Sequence, residues 1–407
     1  MPAVQYLLPD NWIKYSREEV FKELTDAKAA VLALQAMPFQ RRWVEELQQM
    51  QLKIEVAGTT QIEGAEFTGN ELETAIRSET IQDSFTRSQK QANAAKRTYK
   101  MIASLPADLP LNGDLIREVH RSIVTDCDED KCAPGCLRHP DQNVTFGRPI
   151  HRGAPGGESC QTAFEELVVE LQTRFKAHDP LIQALALHYH FAAIHPFGDG
   201  NGRTARALEA LVLQRAGLKD SLFIAMSNYY REEMNEYLEL LARVRSENHD
   251  LTSFLKFGLK GIAQQSGRLL NAIRGQVSKQ LFRNLMRDLF VRLENTRKRV
   301  IVRRQLSLLE KLLDSDGRVE FFKLQESVKD VYSSRKDPVM ALVRDCNKLQ
   351  ALGAIRIIKE ETTPGEFIYY INVVLDWPSK ITDSEFFTRL AHLPKSKTYG
   401  FLSAEEP

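Results

Sequence analysis

A histidine, an aspartate and two arginines surround a glycine-rich stretch in the segment HPFGDGNGRTAR, residues 195 to 206. Apolar runs flank this segment, from Leu181 to Ile194 and from Thr204 to Leu213, so residues 199 to 202 are predicted to form a loop that opens a helix. The unpaired N–H groups at a helix N-terminus, together with the helix dipole, bind phosphate. The segment is therefore a candidate phosphate site.

The small residues of this loop are suited to a close approach by a ligand. Gly200 and Gly202 let the backbone reach phosphate oxygens without a Cβ in the way, and Asn201 adds a short side-chain donor between them. Thr204, in the first turn of the following helix, is counted with these candidate phosphate-binding residues.

Charged side chains complete the candidate site. Arg203 and Arg206 are three residues apart, hence on one helical face, where two guanidinium groups can hold different oxygens of a polyphosphate. Asp199 offers a hard oxygen to Mg²⁺, which at nucleotides is held by one or two carboxylates together with phosphates and water. His195, with an ordinary pKa of about 6.5, suits proton abstraction from a hydroxyl near neutral pH.

Other ligand motifs fit this chain less well. No GxxxxGK[ST] pattern occurs, GAPGGES at residues 153 to 159 lacks the lysine, and DGNG lacks the remaining ligands of a calcium-binding EF-hand. The alternative to a phosphate site is a plain turn between two helices. Cys127, Cys132, Cys136 and His139 could be zinc ligands, but their spacing fits no strong template, which favours reduced thiols.

The twelve residues resemble the signature of the Fic (Fic/Doc) family, His-x-Phe-x-Asp/Glu-Gly-Asn-Gly-Arg-x-x-Arg, and every fixed position is filled. The resemblance implies a helical core and the transfer of AMP from ATP to a Ser, Thr or Tyr hydroxyl of another protein or of this protein itself. It makes His195 the general base, Asp199 the Mg²⁺ ligand and residues 200 to 202 an anion hole. It also places Arg203 and Arg206 on the β- and γ-phosphates. Some family members transfer phosphate or phosphocholine, usually with altered loop residues, so the unaltered loop favours AMP.

An inhibitory motif is predicted upstream of the loop. The residues TTQIEG, 59 to 64, match the Ser/Thr-x-x-x-Glu-Gly/Asn pattern that many Fic proteins carry. The resemblance implies that the Glu63 carboxylate pairs bidentately with Arg206 and so excludes the γ-phosphate, while Thr59 stabilises the inhibitory helix or bonds to nearby main chain. The alternative is an ordinary helix end with Gly64 as its C′ residue.

A short β-hairpin is predicted between these motifs, with a strand over Asn143 to Phe146 and a turn over Gly147 to Pro149. It resembles the family's flap, which holds the target segment by main-chain pairing and covers the nucleotide with its inner side. The candidate docking residues are Gln142, Asn143, Val144, Phe146 and Gly147. A surface loop is the alternative.

Two further positions are tied to the nucleotide by resemblance. Relatives often carry paired tyrosines near adenine where this chain has Glu236 and Tyr237. Tyr237 is therefore predicted beside adenine, while Glu236 departs from the pattern, so UTP and GTP stay open as donors. His188, seven residues before His195 and on the same helical face, is either a second acid or base or, as we favour, a buried histidine.

The composition is typical of a globular protein. The chain has 407 residues, 43% hydrophobic and 27% charged, with a net charge of +1, which gives no overall signal for nucleic-acid binding. Neither a signal peptide nor an apolar run of about 18 residues is found. We therefore expect a cytoplasmic, multi-domain protein that does not span a membrane.

The C-terminal part has its own pattern. Three helices, residues 306–313, 322–331 and 338–352, and then two strands, residues 354–359 and 367–372, resemble a winged helix-turn-helix. Such domains place one helix in the major groove of DNA. The candidate recognition helix has mixed charge, from Arg335, Lys336, Arg344, Lys348, Asp337 and Asp345, so protein docking or self-association into a homodimer is favoured over DNA binding.

The predicted fold class is mainly α, an all-helical Fic core with a short β-hairpin flap, plus an α+β winged helix-turn-helix. The predicted regions are a helical region with the inhibitory motif, 1–72, the core, 73–263, a helical connector, 264–300, the winged domain, 301–378, and a tail, 379–407. Two functions follow from the sequence. One is an autoinhibited AMP transferase that uses ATP and Mg²⁺, and the other is a nucleotide-sensing, DNA-binding regulator with little turnover.

Overall fold

The computed structural model describes residues 4–37, 41–147, 150–216, 224–294, 303–315 and 317–392. The chain divides into two compact units, Met1–Ile273 and Arg274–Pro407, and the finer division into five regions stays a prediction. The predicted hairpin turn at Arg148 and Pro149, residues 295–300 of the connector and residues 393–407 of the tail lie outside the described residues.

The first unit is built of helices and one small hairpin, as predicted. Its helices are α1 (Arg17–Ala36), α2 (Arg41–Ile62), α3 (Gly69–Arg77), α4 (Arg87–Ser104), α5 (Gly113–Val124), α6 (Glu158–Gln172), the 3₁₀ helix Arg174–Ala177, α7 (Pro180–Ile194), α8 (Asn201–Arg215), α9 (Met226–Glu232), α10 (Met234–Ser246) and the start of α11 (Thr252–Glu294). The strands β1 (Thr145–Phe146) and β2 (His151–Arg152) pair antiparallel. The strand predicted over residues 143–146 is therefore only two residues long.

Helix α7 lies at the centre of this unit. The Asp179 side chain caps its N-terminus by accepting from the Leu181 N–H at 3.0 Å, and Pro180 fills its first position. Nearly every residue from Leu181 to Ile194 is buried, because a helix that is apolar all round can only be stable inside a core. The helix ends at His195, whose φ of 53° is left-handed.

Helix α2 is fixed against its neighbours by a buried carboxylate. Glu55 accepts hydrogen bonds from the Tyr99 hydroxyl at 2.7 Å and from the Ser227 N–H at 2.9 Å. Burial raises the pKa of Glu55 to about 7. One turn further on, Gly58 lies directly on α9, where a Cβ would stand 2.6 Å from the Ser227 carbonyl carbon. The two helices therefore touch backbone to backbone.

The C-terminal unit contains α12 (Arg303–Asp314), β3 (Val319–Glu320), α13 (Phe321–Ser327), α14 (Lys329–Tyr332), α15 (Pro338–Leu352), β4 (Ile355–Thr363), β5 (Glu366–Val373), α16 (Trp377–Lys380) and α17 (Asp383–Ala391). The strands form an antiparallel sheet in the order β3-β5-β4. The second predicted helix is divided at Val328, and β3, α16 and α17 have no counterpart in the prediction. The order of the other elements matches the prediction, and the winged-helix assignment itself stays a prediction.

Across the described ranges, no helix is both long enough and apolar enough to cross a membrane.

The contact at Gly58 gives a test of the packing. Gly58→Ala should lower the free energy of unfolding by about 1–3 kcal/mol, the usual cost of overpacking, because the methyl group overlaps the backbone of α9. In α11 a Cβ on Gly267 meets nothing within 4 Å, so Gly267→Ala should be neutral or raise stability by up to about 1 kcal/mol. Chemical denaturation of both variants measures the difference, and equal effects would contradict the packing at Gly58.

Candidate active site

The loop between α7 and α8 is closed by the side chain of Asn201. Its amide donates to the Phe197 carbonyl and accepts from the Phe197 N–H, both at 2.9 Å. The chain turns at His195 and again at Gly200, which has a φ of 75°. The sequence predicts the Asn201 amide as a ligand donor, but the amide is used inside the loop, which leaves the backbone N–H groups at the start of α8 as the donors.

A histidine that sequence reasoning missed supports this loop from below. The His120 Nε2–H donates to the Asp199 carbonyl at 2.9 Å, and His120 Nδ1 accepts from the Gly135 N–H at 2.9 Å. Burial lowers the pKa of His120 to about 4, so the imidazole is neutral with its proton on Nε2. The ring stacks on Phe197 at 3.7 Å. The loop is thus held by neutral hydrogen bonds.

His195 is positioned to act as a base. Its Nδ1–H donates to the Ala192 carbonyl at 3.2 Å, which leaves the lone pair on Nε2. Burial lowers the pKa of His195 to about 4, so the ring is neutral at physiological pH. Arg138 Nε–H donates to the His195 carbonyl at 2.8 Å, and the Phe146 ring stacks on the imidazole with centroids 4.1 Å apart.

Arg206 lies at the other side of the loop, where helix α2 ends. Its side chain is almost fully buried and donates to the Thr59 hydroxyl at 2.9 Å, to the Thr59 carbonyl at 3.0 Å and to Glu63 Oε1 at 2.6 Å. Burial raises the pKa of Glu63, but the Arg206 charge outweighs it and the net pKa is lowered. A Cβ on Gly202 would overlap Glu63 Oε1, so the carboxylate lies directly on the start of α8.

Two details of the predicted motif are corrected here. The Glu63 contact is a single hydrogen bond to Arg206 Nη2 rather than a bidentate pair. Thr59 bonds to the Arg206 guanidinium itself, through its hydroxyl and its carbonyl, because α2 approaches α8 closely at its last turn. Gly64, with a φ of 86°, does follow the helix end. The segment is therefore both an ordinary helix end and a contact to Arg206.

The Arg203 side chain is buried and is not exposed on the face of the loop that a ligand would contact. Its Nη1 donates to Asp128 Oδ2 at 2.6 Å, and Asp128 also accepts from Arg87 and Gln91. Burial raises the pKa of Asp128, but Arg203 and the other donors outweigh it and set that pKa at about 2. Arg203 Nε is buried without a hydrogen-bond partner among the described residues. The position of Arg203 beside a phosphate stays a prediction.

Asp199 stands at the rim of the loop. Its Oδ1 accepts from the Gly200 N–H at 2.6 Å, and its Oδ2 lies 3.3 Å from Lys131 Nζ. In the described ranges no three His, Cys, Asp or Glu side chains are grouped as metal ligands. One half-buried carboxylate beside a phosphate site suits Mg²⁺, since that ion takes most of its other ligands from phosphates and water.

A cavity of about 210 Å³ joins these groups. The predicted residues that line it are Glu63, Phe146, Gly147, His195, Asp199, Asn201, Gly202, Arg206 and Tyr237. Thr204 is buried in the first turn of α8, where its hydroxyl donates to the Gly200 carbonyl at 2.9 Å. Of the other predicted docking residues, Gln142 accepts from the His139 N–H at 2.9 Å, and Asn143 and Val144 lie on the approach to β1 outside the cavity lining.

The two residues predicted on the adenine side, Tyr237 and Glu236, lie in different places in the structure. Tyr237 lines the cavity, and His188 Nε2 bonds to its hydroxyl at 2.8 Å, while Glu209 contacts the other nitrogen of His188. His188 is thus a buried, hydrogen-bonded histidine. Glu236 is exposed and lines a different surface depression, because adjacent helix positions point about 100° apart. Glu236 therefore lies outside the cavity lining, and Leu238, Leu241 and Ala242 line that wall instead.

The family model of the Fic/DOC family matches residues 110–213, which span α5, the hairpin, α7, the loop and most of α8. These residues form a Fic/DOC family domain. The resemblance seen in the loop signature is therefore confirmed.

Curated relatives are similar to part of this chain. The "Protein adenylyltransferase Fic" of Aedes aegypti is 33% identical over 142 residues, which are 35% of this chain and 26% of that protein. The "Protein adenylyltransferase fic-1" of Caenorhabditis elegans is 51% identical over 39 residues, 10% of this chain and 8% of that protein. The chain spans about a quarter of the length of the first of these curated relatives.

Solved structures share the fold of this chain. The Fic-1 fragment from C. elegans has a TM-score of 0.50 at 19% identity and covers 63% of this chain and 72% of its own. A Fic family protein from Desulfovibrio desulfuricans G20 has a TM-score of 0.50 at 18% identity and covers 91% of this chain and 98% of its own.

The neutral state of His195 can be measured. In an NMR titration its imidazole should change protonation with a midpoint near pH 4, compared with about 6.5 for an unperturbed histidine, because the charged form loses hydration on burial. The His195→Gln variant identifies the signal. A midpoint at or above pH 6.5 would contradict the burial of the ring.

Proposed function

We propose that this protein is an adenylyltransferase that moves AMP from ATP to a hydroxyl side chain of a protein, and that Glu63 inhibits it. The observation that carries the proposal is the shared cavity, in which a neutral histidine and a helix N-terminus face each other while Glu63 occupies Arg206. The relatives named protein adenylyltransferase Fic support the same reaction.

The proposed reaction uses His195 as its base. Nε2 takes the proton of the target hydroxyl, whose oxygen attacks the α-phosphorus of ATP. A P–O bond to the target forms as the α–β bridging P–O bond breaks, and pyrophosphate leaves. The backbone N–H groups at the start of α8 and the freed Arg206 hold the leaving phosphates. Mg²⁺ at Asp199 would neutralise part of their charge.

Inhibition follows from charge and space at the start of α8. Glu63 is 35% exposed, and the exposed part faces the cavity. It places a negative charge on the N-terminus of α8, which would otherwise attract phosphate. It also uses the Arg206 donor that a γ-phosphate needs. The triphosphate must therefore either displace Glu63 or bind misaligned for in-line attack.

The hairpin has one strand edge available for a target segment. Val4 already pairs with the outer side of β2, since the Arg152 N–H donates to the Val4 carbonyl at 2.8 Å and the Val4 N–H to the Ile150 carbonyl at 3.0 Å. Among the described residues the outer edge of β1 has no strand partner. Main-chain pairing of a target along residues 143–146 would bring its hydroxyl toward His195.

The central prediction concerns Glu63→Gly. With Mg²⁺ and α-labelled ATP, this variant should label itself or lysate proteins about tenfold or more above the wild type, which corresponds to about 1.4 kcal/mol of barrier. Thr59→Val, which removes one acceptor of Arg206, should give a smaller rise. Glu66→Gly, at an exposed glutamate outside the cavity lining, should change nothing.

A second variant tests the base in the same assay. Glu63→Gly/His195→Ala should lose the label while it still binds ATP. No label in any folded form that binds ATP would reject the transferase and favour a nucleotide-sensing role. Label with another nucleotide triphosphate alone would instead change the donor.

We also propose DNA as a ligand of the C-terminal unit, on one observation. Asp345 is buried and accepts from Gln305 at 2.7 Å and from Tyr332 at 2.9 Å, and Asp337 caps α15 by accepting from the Met340 N–H at 3.1 Å. Asp345 is thus withdrawn from the surface, while Asp337 stays exposed at the start of the helix. The surface charge around the candidate recognition helix is therefore mainly basic, from Arg335, Lys336, Arg344 and Lys348.

Salt dependence tests this second proposal. Duplex binding should weaken as salt rises, and Arg344→Ala/Lys348→Ala should reduce the slope of log K against log salt by about 0.9 for each phosphate that the variant no longer neutralises. Lys380→Ala, at a lysine paired with Asp376, serves as the control. If duplex binding is absent or independent of salt, DNA is rejected as a ligand, and protein docking or self-association becomes the favoured role of this unit.

A further inference from the structure

A row of buried polar side chains connects helix α8 to the hydroxyl of Tyr237. Glu209 and His188 are both 0% exposed, and the Glu209 carboxylate contacts His188 Nδ1. His188 Nε2 bonds to the Tyr237 hydroxyl at 2.8 Å, and this hydroxyl lies beside the Arg206 guanidinium. At the other end, the Tyr230 hydroxyl donates to Glu209 at 2.9 Å. We refer to Glu209, His188 and Tyr237 as the buried relay.

The direction of each hydrogen bond in the buried relay follows from its two ends. A carboxylate can only accept, so His188 Nδ1 carries a proton and donates it to Glu209. A neutral ring then accepts at Nε2, and the Tyr237 hydroxyl must donate to it. The Tyr237 oxygen is left with lone pairs, which match the N–H groups of Arg206. A doubly protonated His188 would instead leave the Tyr237 proton facing Arg206, which has no acceptor, so the geometry favours the neutral ring.

The Tyr237 hydroxyl is held in one place and keeps its proton. The residue is 2% exposed, and burial raises the pKa of Tyr237 to about 12, although the Arg206 charge opposes this shift. The rings of Tyr237 and Tyr230 stack with their centroids 4.6 Å apart. The His188 ring meets Tyr237 edge to face at 5.7 Å. These contacts fix the position of the hydroxyl that faces Arg206.

Arg206 needs such an acceptor most when Glu63 is absent. In the inhibited site, Thr59 and Glu63 accept hydrogen bonds from the guanidinium. Without Glu63, the acceptors that remain on α2 are the hydroxyl and the carbonyl of Thr59. The Tyr237 oxygen adds an acceptor from a different helix, α10, and carries no charge that would repel a phosphate. The buried relay can therefore hold Arg206 in the state that binds a triphosphate.

We propose that Glu209 and His188 are positioning residues, which act through the Tyr237 hydroxyl to hold Arg206 ready for the γ-phosphate of the donor nucleotide. The proposal rests on the proposed function, in which Arg206 binds that phosphate. A guanidinium that is oriented before binding loses less side-chain freedom when the ligand arrives, which raises affinity. Because the buried relay ends at Arg206, its effect should distinguish ATP from ADP.

Calorimetry with ATP and ADP, both as Mg²⁺ complexes, isolates the γ-phosphate. The measurements use the Glu63→Gly/His195→Ala protein, in which Arg206 is free and the base is removed, so that ATP is bound without turnover. The ratio of the ATP affinity to the ADP affinity then reports the contribution of Arg206. A general loss of packing lowers both affinities and leaves their ratio unchanged.

Tyr237→Phe removes the hydroxyl and keeps the ring. In this background it should weaken ATP about fivefold, roughly the value of one hydrogen bond, and leave ADP unchanged. Tyr229→Phe is the matched control, because Tyr229 is also buried but lies outside the cavity lining, and it should leave the ratio as it is. An unchanged ratio in Tyr237→Phe would overturn the proposal.

Glu209→Gln tests the remote end of the buried relay. An amide can donate to His188 Nδ1 as well as accept from it, so the proton is no longer fixed on that nitrogen. The variant should lower the ratio about threefold, less than Tyr237→Phe does. In Tyr237→Phe/Glu209→Gln the second change should have no further effect on the ratio, since the two residues act in series. Additive effects, or an equal loss of ATP and ADP affinity, would overturn the positioning role of Glu209 and His188.

The two levels of failure can be told apart. Loss of ATP binding by the folded Glu63→Gly/His195→Ala protein would overturn the buried relay and the proposed function together. Labelling by Glu63→Gly, combined with a ratio that Tyr237→Phe does not change, would overturn the buried relay alone.

Discussion

The charge of one buried guanidinium governs this site. Arg206 is 3% exposed, and a buried cation is stable only with acceptors and a counter-charge around it. The end of α2 supplies both, through Thr59 and Glu63. Removing a partner from such a buried pair typically costs about 3–5 kcal/mol. Without Glu63, an empty active site would therefore leave the buried Arg206 charge without a counter-charge. A triphosphate can satisfy the same donors, and inhibitor and substrate therefore compete for one charge.

The backbone of the loop is held by neutral groups and by hydrogen bonds to carbonyls. Asn201 closes it through reciprocal amide bonds, and the neutral His120 holds it from below. Arg138 is charged, but it donates to backbone carbonyls, including those of His195 and Gln142, and so ties the hairpin to the base. Asn201 and His120 therefore support the loop without adding a charge at the start of α8. This arrangement suits a site where a ligand phosphate can replace the Glu63 carboxylate as the bound anion.

Local pattern is enough to predict the elements and the loop, but not the partners of each charge. Helix α15 begins and ends where the sequence predicts, because Asp337, Pro338 and Gly353 are strong end signals. The motif loop can be predicted equally well, because the spacing of its glycine and asparagine residues is a local property of the sequence. Asp128 and Arg203 are 75 residues apart, and no local signal pairs them.

Relief of inhibition is constrained by how α2 is fixed. Glu55 and Gly58 tie the middle of the helix to α9, through the Ser227 N–H and direct backbone contact. Moving α2 as a whole would expose a buried carboxyl and separate two closely packed backbones, both of which are costly. Among the described residues, the hydrogen bonds that the last turn makes to another element go to Arg206, and the Glu63 side chain at its end is 35% exposed. Freeing the cavity therefore needs only the Glu63 side chain or that last turn to move, while the rest of α2 stays docked.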